Sequence, residues 1–262
     1  MMQPPETATV ERWCWDYVLT TDLQHKLAPP AVPQRWETVP IERRLPLPAR
    51  PSELQVLNRA GKSPRRGALQ HAARRAEMIH TFMHHELQAA ELFAWAQLAF
   101  PDTPAEFRRG LLAIGLEEIK HLQLYHGYLR NAGVAFGDYP VRDWFWERVP
   151  RCQTPAQFVA VMGMGLEGGN LDHAARYQQW FADAKDTAAI AILETVRREE
   201  VGHVRFGAHW FQQFTGNDDF EAWRAHLPDP LSPHLMHGAQ MNIEDRRNAG
   251  LSAEFMEKLS RW

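Results

Sequence analysis

The chain has 262 residues, 45% of them hydrophobic and 23% charged, with a formal net charge of -3. That composition suits a globular protein able to bury a sizeable core, in one large domain rather than two, and it argues against a general electrostatic hold on nucleic acid or anionic membrane. Two cysteines, Cys14 and Cys152, neither in a Cys-x-x-Cys pair, exclude a disulfide framework, a rubredoxin-type iron site and a zinc ribbon. The opening Met-Met-Gln-Pro-Pro-Glu is not ordered like a signal peptide. No apolar stretch reaches the ~18 residues a membrane helix needs, so a soluble, cytoplasmic protein without a membrane partner is expected.

Ten of the 18 prolines fall in the first 64 residues. A short helix over about Val10 to Leu27 interrupts that region, and the rest, to Lys62, reads as extended cover. A long proline-free helical pattern runs from Gly67 to Ala99 and stops at Phe100-Pro101-Asp102. The next helix starts at Thr103-Pro104-Ala105-Glu106, with Thr103 as cap, Pro104 at the first helical position and Glu106 closing a capping box, and runs to about Asn131. The third starts the same way at Thr154-Pro155-Ala156-Gln157 and reaches about Phe181. Asp186 caps a fourth, which ends near Thr215 with Gly216 as its stop. Between the second and third lies a longer connection, Asn131 to Gln153, containing Gly133, Gly137, Pro140 and Pro150.

Two words repeat across these helices, Glu117-Glu118-Ile119-Lys120-His121 and Glu199-Glu200-Val201-Gly202-His203. Each contains a Glu-x-x-His pair, Glu118/His121 and Glu200/His203. Each has a glutamate upstream at a matched distance: Glu86 precedes Glu118 by 32 residues, and Glu167 precedes Glu200 by 33. The midpoints, Asp102 and Asp183/Ala184, fall inside the two expected turns. In an antiparallel hairpin, residues equidistant from the turn sit level, here about 20 Å up the helices. The glutamates occupy apolar rows: Glu86 with Ile79, Phe82, Met83, Ala90 and Phe93; Glu118 with Leu111, Ile114, Leu122 and Tyr125; Glu200 with Leu193, Val196, Val204 and Phe211. Four carboxylates in a core repel one another or take up protons unless cations offset them. One Glu from each of two helices and Glu-x-x-His from two others is the inventory that holds two metal ions in a four-helix bundle, and mixed carboxylate–imidazole ligation suits iron or manganese. A lone Glu-x-x-His usually marks a solvated or hydrogen-bonded pair; the matched duplication favours metal. Glu117 and Glu199 stand four residues before their histidines. They are alternative ligands, assigned here to a supporting or surface role.

The expected fold is therefore all-α. A ferritin-like four-helix bundle with one long crossover spans 67–216, an N-terminal helix and proline-rich cover spans 1–66, and a C-terminal extension of short helices packed on the bundle spans 217–262. From about Arg50 onward the chain resembles the bacterial ferritin-like family classed only as a domain of unknown function. The matching stretches are Ala49-Arg50-Pro51, His84-His85-Glu86-Leu87-Gln88-Ala89, the two Glu-Glu-x-x-His words, Gly165-Leu166-Glu167, Leu171-Asp172 and Asn242 to Gly250. The resemblance implies a di-iron carboxylate fold and brings no established reaction. One departure is Gly168-Gly169-Asn170, where a larger basic residue is expected; two glycines there would loosen the helix or open space over the metals.

The leading expectation is a Glu4His2 di-iron oxidase or oxygenase using two iron ions, with manganese or a mixed pair as variants. It would take dioxygen and a small organic substrate, draw on an external electron donor, and act as a monomer or homodimer. Ferroxidase or iron-handling activity, peroxide reduction and tRNA hydroxylation are the alternatives, and nucleic acid is not an expected partner. Other residues carry secondary readings. Tyr125 is a packed core side chain or an oxidisable group near the metals. Asp172, followed by His173, is either an outer partner of a ligand histidine, for which it is the best candidate, or half of a surface ion pair. His85, near His80 and His84, is a third-histidine candidate, although adjacent helical residues point about 100° apart, which favours another role. Lys62, Arg65, Arg66, Arg74 and Arg75 form a basic run that is either a solvated face or an anion site. Trp13, Trp15, Trp144 and Trp146 either clamp cover and crossover against the bundle or wall an aromatic pocket above the metals.

Overall fold

The computed structural model describes residues 2–59 and 63–262; Lys62 of the basic run lies outside them. Helices are the only extended elements among the described residues, and one isolated parallel bridge joins Val56 to Val141. Two compact units result, one ending at Pro150 and the other running from Arg151 to Trp262.

The first unit is built around α3 (Ala72–Ala99) and α4 (Ala105–Asn131), joined by a tight turn. Every side chain of α3 from Glu86 to Ala99 is buried, so this half of the helix is core on all sides. The single N-terminal helix expected from the sequence is two, α1 (Val10–Leu19) and α2 (Leu23–Leu27). Thr20 turns extended and the Asp22 carboxylate caps Gln24, which starts a new helix. The long helix also begins later than the pattern suggests: Arg66–Gln70 is a 3-10 turn and His71 is extended. Gly67 contributes little helix propensity there. The capping box at Thr103 does not form either. Thr103 donates its hydroxyl to the Phe100 carbonyl at 2.7 Å, and Pro104, at ψ 143°, stays outside the helix.

The cover and the crossover are tied to α3 by buried charge. Glu91, fully buried, accepts from Arg50 at 2.5 Å, Lys26 at 2.7 Å and the Trp146 indole at 2.9 Å. Arg50 also bonds both oxygens of Asp143, at 3.0 and 3.1 Å. Trp13 donates to the Pro30 carbonyl at 2.8 Å. Gly137 has φ 131°, and a Cβ there would lie 2.2 Å from the Glu53 carbonyl oxygen, so only glycine lets the crossover lie against the cover.

In the second unit α5 (Pro155–Val159), a π-helical segment (Ala160–Leu166) and α6 (Glu167–Asp183) form one continuous rod antiparallel to α7 (Thr187–Thr215). Thr154 caps α5 as expected, Asp186 caps α7 by accepting from Ala189, and Gly216 ends α7 at φ 70°. The π segment is where the rod and α7 come closest. A Cβ on Gly163 would lie 2.7 Å from the Gly207 Cα, and the widened turn leaves the Ala160 carbonyl to accept from the Trp223 indole at 2.9 Å. Three short helices complete the unit, α8 (Phe220–Ala225), α9 (Ile243–Asn248) and α10 (Ala253–Leu259), with α9 packed on α6 and α7.

Two measurements check this packing. Gly163→Ala should destabilise by about 1–3 kcal/mol in urea denaturation, because it meets backbone. Gly202→Ala, with open space around it, should stabilise by about 0.5–1 kcal/mol. Burial opposes ionisation of Asp143, but His84 and Arg50 outweigh it and hold its carboxyl at about 2 against an ordinary 3.8. A carboxyl lowered on folding adds stability that is present above its unfolded value and lost as pH falls through the folded one. Urea midpoints should therefore fall between about pH 4 and pH 2, and fall less steeply in Asp143→Asn.

Candidate metal centre

Each unit buries a Glu-x-x-His pair together with the glutamate that precedes it at matched distance. In the first, Glu86 comes from α3, and Glu118 and His121 come from adjacent turns of α4. His121 Nδ1 lies 3.4 Å from Glu118 Oε2 and 3.6 Å from Glu86 Oε2. Exposures are 6% for Glu86 and 0% for the other two. Burial, reinforced by the Glu118 charge, pushes the Glu86 carboxyl well above its ordinary range against the pull of His121. Burial alone would lower the His121 imidazole, but the two carboxylates outweigh it and hold the ring well above its usual value.

In the second, Glu167 opens α6 where the π segment ends, its N–H bonded to the Met162 carbonyl, and Glu200 and His203 come from α7. His203 Nδ1 sits 2.9 Å from Glu200 Oε2, and Glu200 Oε1 accepts from the Asn170 amide at 3.0 Å. Within each trio, one ligand-type atom per residue lies within 4.8 Å of the others. Buried carboxylates and imidazoles at this spacing form a donor set that could hold a divalent cation.

The structure separates the paired acids of each word. Glu118 and Glu200 are buried, whereas Glu117 is exposed and Glu199 half-buried. Tyr125, 2% exposed, packs edge-on against Phe82 at 6.0 Å. The three histidines near Glu86 turn to the crossover. His80 Nε2 accepts from the Gly137 amide at 2.9 Å, His84 Nε2 meets Asp143 at 3.1 Å, and His85 stacks on Phe145. Of the basic run, Arg74 pairs with Glu77 at 2.5 Å and Arg75 donates to the Leu69 and Gln70 carbonyls.

Asp172 is not the partner of a ligand histidine. It accepts from Arg246 at 3.1 and 2.8 Å and from the Gly238 and Asn242 amides at 2.8 and 2.7 Å. Arg246, fully buried, lies over Gly168, whose added Cβ would be 3.2 Å from its guanidinium, and the Met236 backbone covers Gly169. The two glycines therefore neither loosen α6 nor open space. They admit an arginine from α9 against the first residues of α6, just after Glu167. Sequence reasoning missed Asn170 as the holder of Glu200; its spacing of three from Glu167, on the same helical face, was the available signal.

The family described as Protein of unknown function (DUF455) matches residues 3–257. An uncharacterized protein of Haemophilus influenzae is 27% identical over 157 residues, covering 57% of this chain and 54% of that protein. The chain thus spans about half the length of this curated relative. No solved structure matches the chain.

The Asp172–Arg246 pair generates a stability test. Asp172→Ala leaves a buried guanidinium uncompensated and should cost about 3–5 kcal/mol. The paired replacement Asp172→Leu with Arg246→Met should cost clearly less than the two single losses combined, measured as a double-mutant cycle in urea.

Proposed function

The chain belongs to this family of unknown function, and we propose that its two Glu/His trios act together as a Glu4His2 di-iron carboxylate centre of a ferritin-like bundle, an oxidase or oxygenase acting on a small organic substrate. The observation that carries the reading is the duplication itself. Each helical hairpin buries a glutamate and a Glu-x-x-His pair, with ligand-type atoms within 4.8 Å inside each trio. Glu86, Glu118, Glu167 and Glu200 would supply four negative charges for two divalent cations to offset, and His121 and His203 the nitrogen donors. Two bound irons would supply the redox chemistry and Lewis acidity for work on dioxygen; manganese is the alternative metal. Within the protein, Asn170 orients Glu200, and the Arg246–Asp172 pair braces the turn after Glu167.

The chain outside the hairpins supports an oxidase over iron handling, because a storage subunit has no need of the cover and the C-terminal helices. The missing Cys-x-x-Cys pairs weigh against a self-contained peroxide reductase. Arg75 is committed to the Leu69 and Gln70 carbonyls and Arg74 forms a surface pair with Glu77, which mildly weakens the reading as a tRNA hydroxylase.

Metal analysis of protein from iron-supplemented cells, then anaerobic ferrous loading and oxygen-electrode measurement, tests the reading. About two irons per chain are expected, with oxygen consumed on exposure. Glu118→Ala and Glu200→Ala should each lose most of the metal, while Glu117→Ala and Glu199→Ala keep it. No metal, or a single zinc indifferent to Glu118→Ala and Glu200→Ala, would overturn the proposal.

A further inference from the structure

Beside α3, a cavity of about 590 Å³ opens between the helix face carrying Thr81, His84 and His85 and the crossover residues Tyr139, Trp144 and Phe145. That volume is in the range that holds small organic ligands. None of the six residues of the two Glu/His trios lines it, because neighbouring helical residues such as His85 and Glu86 point about 100° apart.

Its walls are aromatic and its charge is unbalanced. The Phe145 ring lies 5.1 Å from His85, stacked, and 5.6 Å from Trp144, edge-on. These rings and Tyr139 are only half-buried, so they present apolar surface to the space. Among the charged lining residues, Glu77 is held by Arg74 at 2.5 Å, and Arg142 forks onto Glu147 at 2.8 and 2.6 Å. Arg59 has no ion-pair partner among the described residues, which leaves one guanidinium over. His84, 1% exposed, commits Nε2 to Asp143 at 3.1 Å, and its Nδ1 has no hydrogen-bond partner.

We propose that this cavity is a ligand site, separate from the Glu/His trios, for a planar aromatic ring bearing one anionic group. The ring lies among Trp144, Phe145 and His85, where flat π surfaces stack. The anion meets Arg59, whose guanidinium matches carboxylate and phosphate alike. The cavity is independent of the metal centre, and metal-free protein serves for its test.

Calorimetry and saturation-transfer NMR on the full chain, with benzoate and adenosine monophosphate as probes and benzamide and adenosine as neutral counterparts, decide it. Saturable one-site binding of at least one anion is expected, about tenfold tighter than its neutral counterpart. Benzoate alone would identify aromatic acids as the source, and adenosine monophosphate alone would identify nucleotides. Arg59→Gln, at an exposed position, should weaken the anion about tenfold without disturbing the fold, and Thr81→Phe should fill the cavity and abolish binding. No saturable binding of either anion, equal binding of the neutral counterparts, or binding indifferent to Arg59→Gln would overturn the proposal.

Discussion

A carboxylate buried in a helix needs positive charge or a proton nearby, and α3 buries two of them five residues apart. Glu91 is compensated in full: Lys26, Arg50 and the Trp146 indole all reach it, and its carboxyl stays below its ordinary range although burial pushes the other way. Because Lys26 belongs to the N-terminal helices, Arg50 to the cover and Trp146 to the crossover, satisfying this one group gathers three distant segments onto α3. Glu86 has no such set. Its neighbours are a second carboxylate and one imidazole, and burial drives its carboxyl upward. The same helix therefore carries one acid that organises the fold and one whose compensation is incomplete within the unit.

The second unit repeats the contrast. Asp172 is saturated by Arg246 and two backbone amides, whereas Glu200 is met by Asn170 and His203. The arginine that neutralises Asp172 enters through the space left by Gly168 and Gly169. Here the C-terminal helices act on the hairpin as the cover acts on α3, supplying buried cations from far along the chain. Structural acids are paired with arginine or lysine, and the duplicated Glu-x-x-His acids are paired with histidine. That division of partners separates braces from metal-ligand candidates more sharply than residue type or burial does.

The aromatic residues divide in a similar way. Trp146 and Trp223 each give their indole N–H to a buried acceptor, and Trp13 gives its own to the Pro30 carbonyl of the cover, which fixes them as clamps. Trp144 instead lines the cavity beside α3, with the Arg148 guanidinium 4.0 Å from its ring. The clamp reading thus holds for Trp13 and Trp146, whereas Trp144 walls a cavity that none of the six Glu/His ligand candidates lines.

The sequence by itself determined the helical hairpins, the caps at Thr154 and Asp186, the stop at Gly216 and the six Glu/His residues. All of these follow from local spacing: helical period places side chains on a face, and caps act within three residues. The helical pattern did not show the break at Thr20 or the late start of α3, although Asp22 and Gly67 mark them locally, nor the π segment, where tertiary packing overrides local preference, as the approach of Gly163 to Gly207 illustrates. Nor could it pair the buried charges. Arg50 and Glu91 are 41 residues apart, and Arg246 and Asp172 are 74 apart, and no periodicity extends across such separations. Only the tertiary structure decided which acids carry an arginine and which keep a histidine, because burial and compensation belong to the packed chain and not to any local stretch of it.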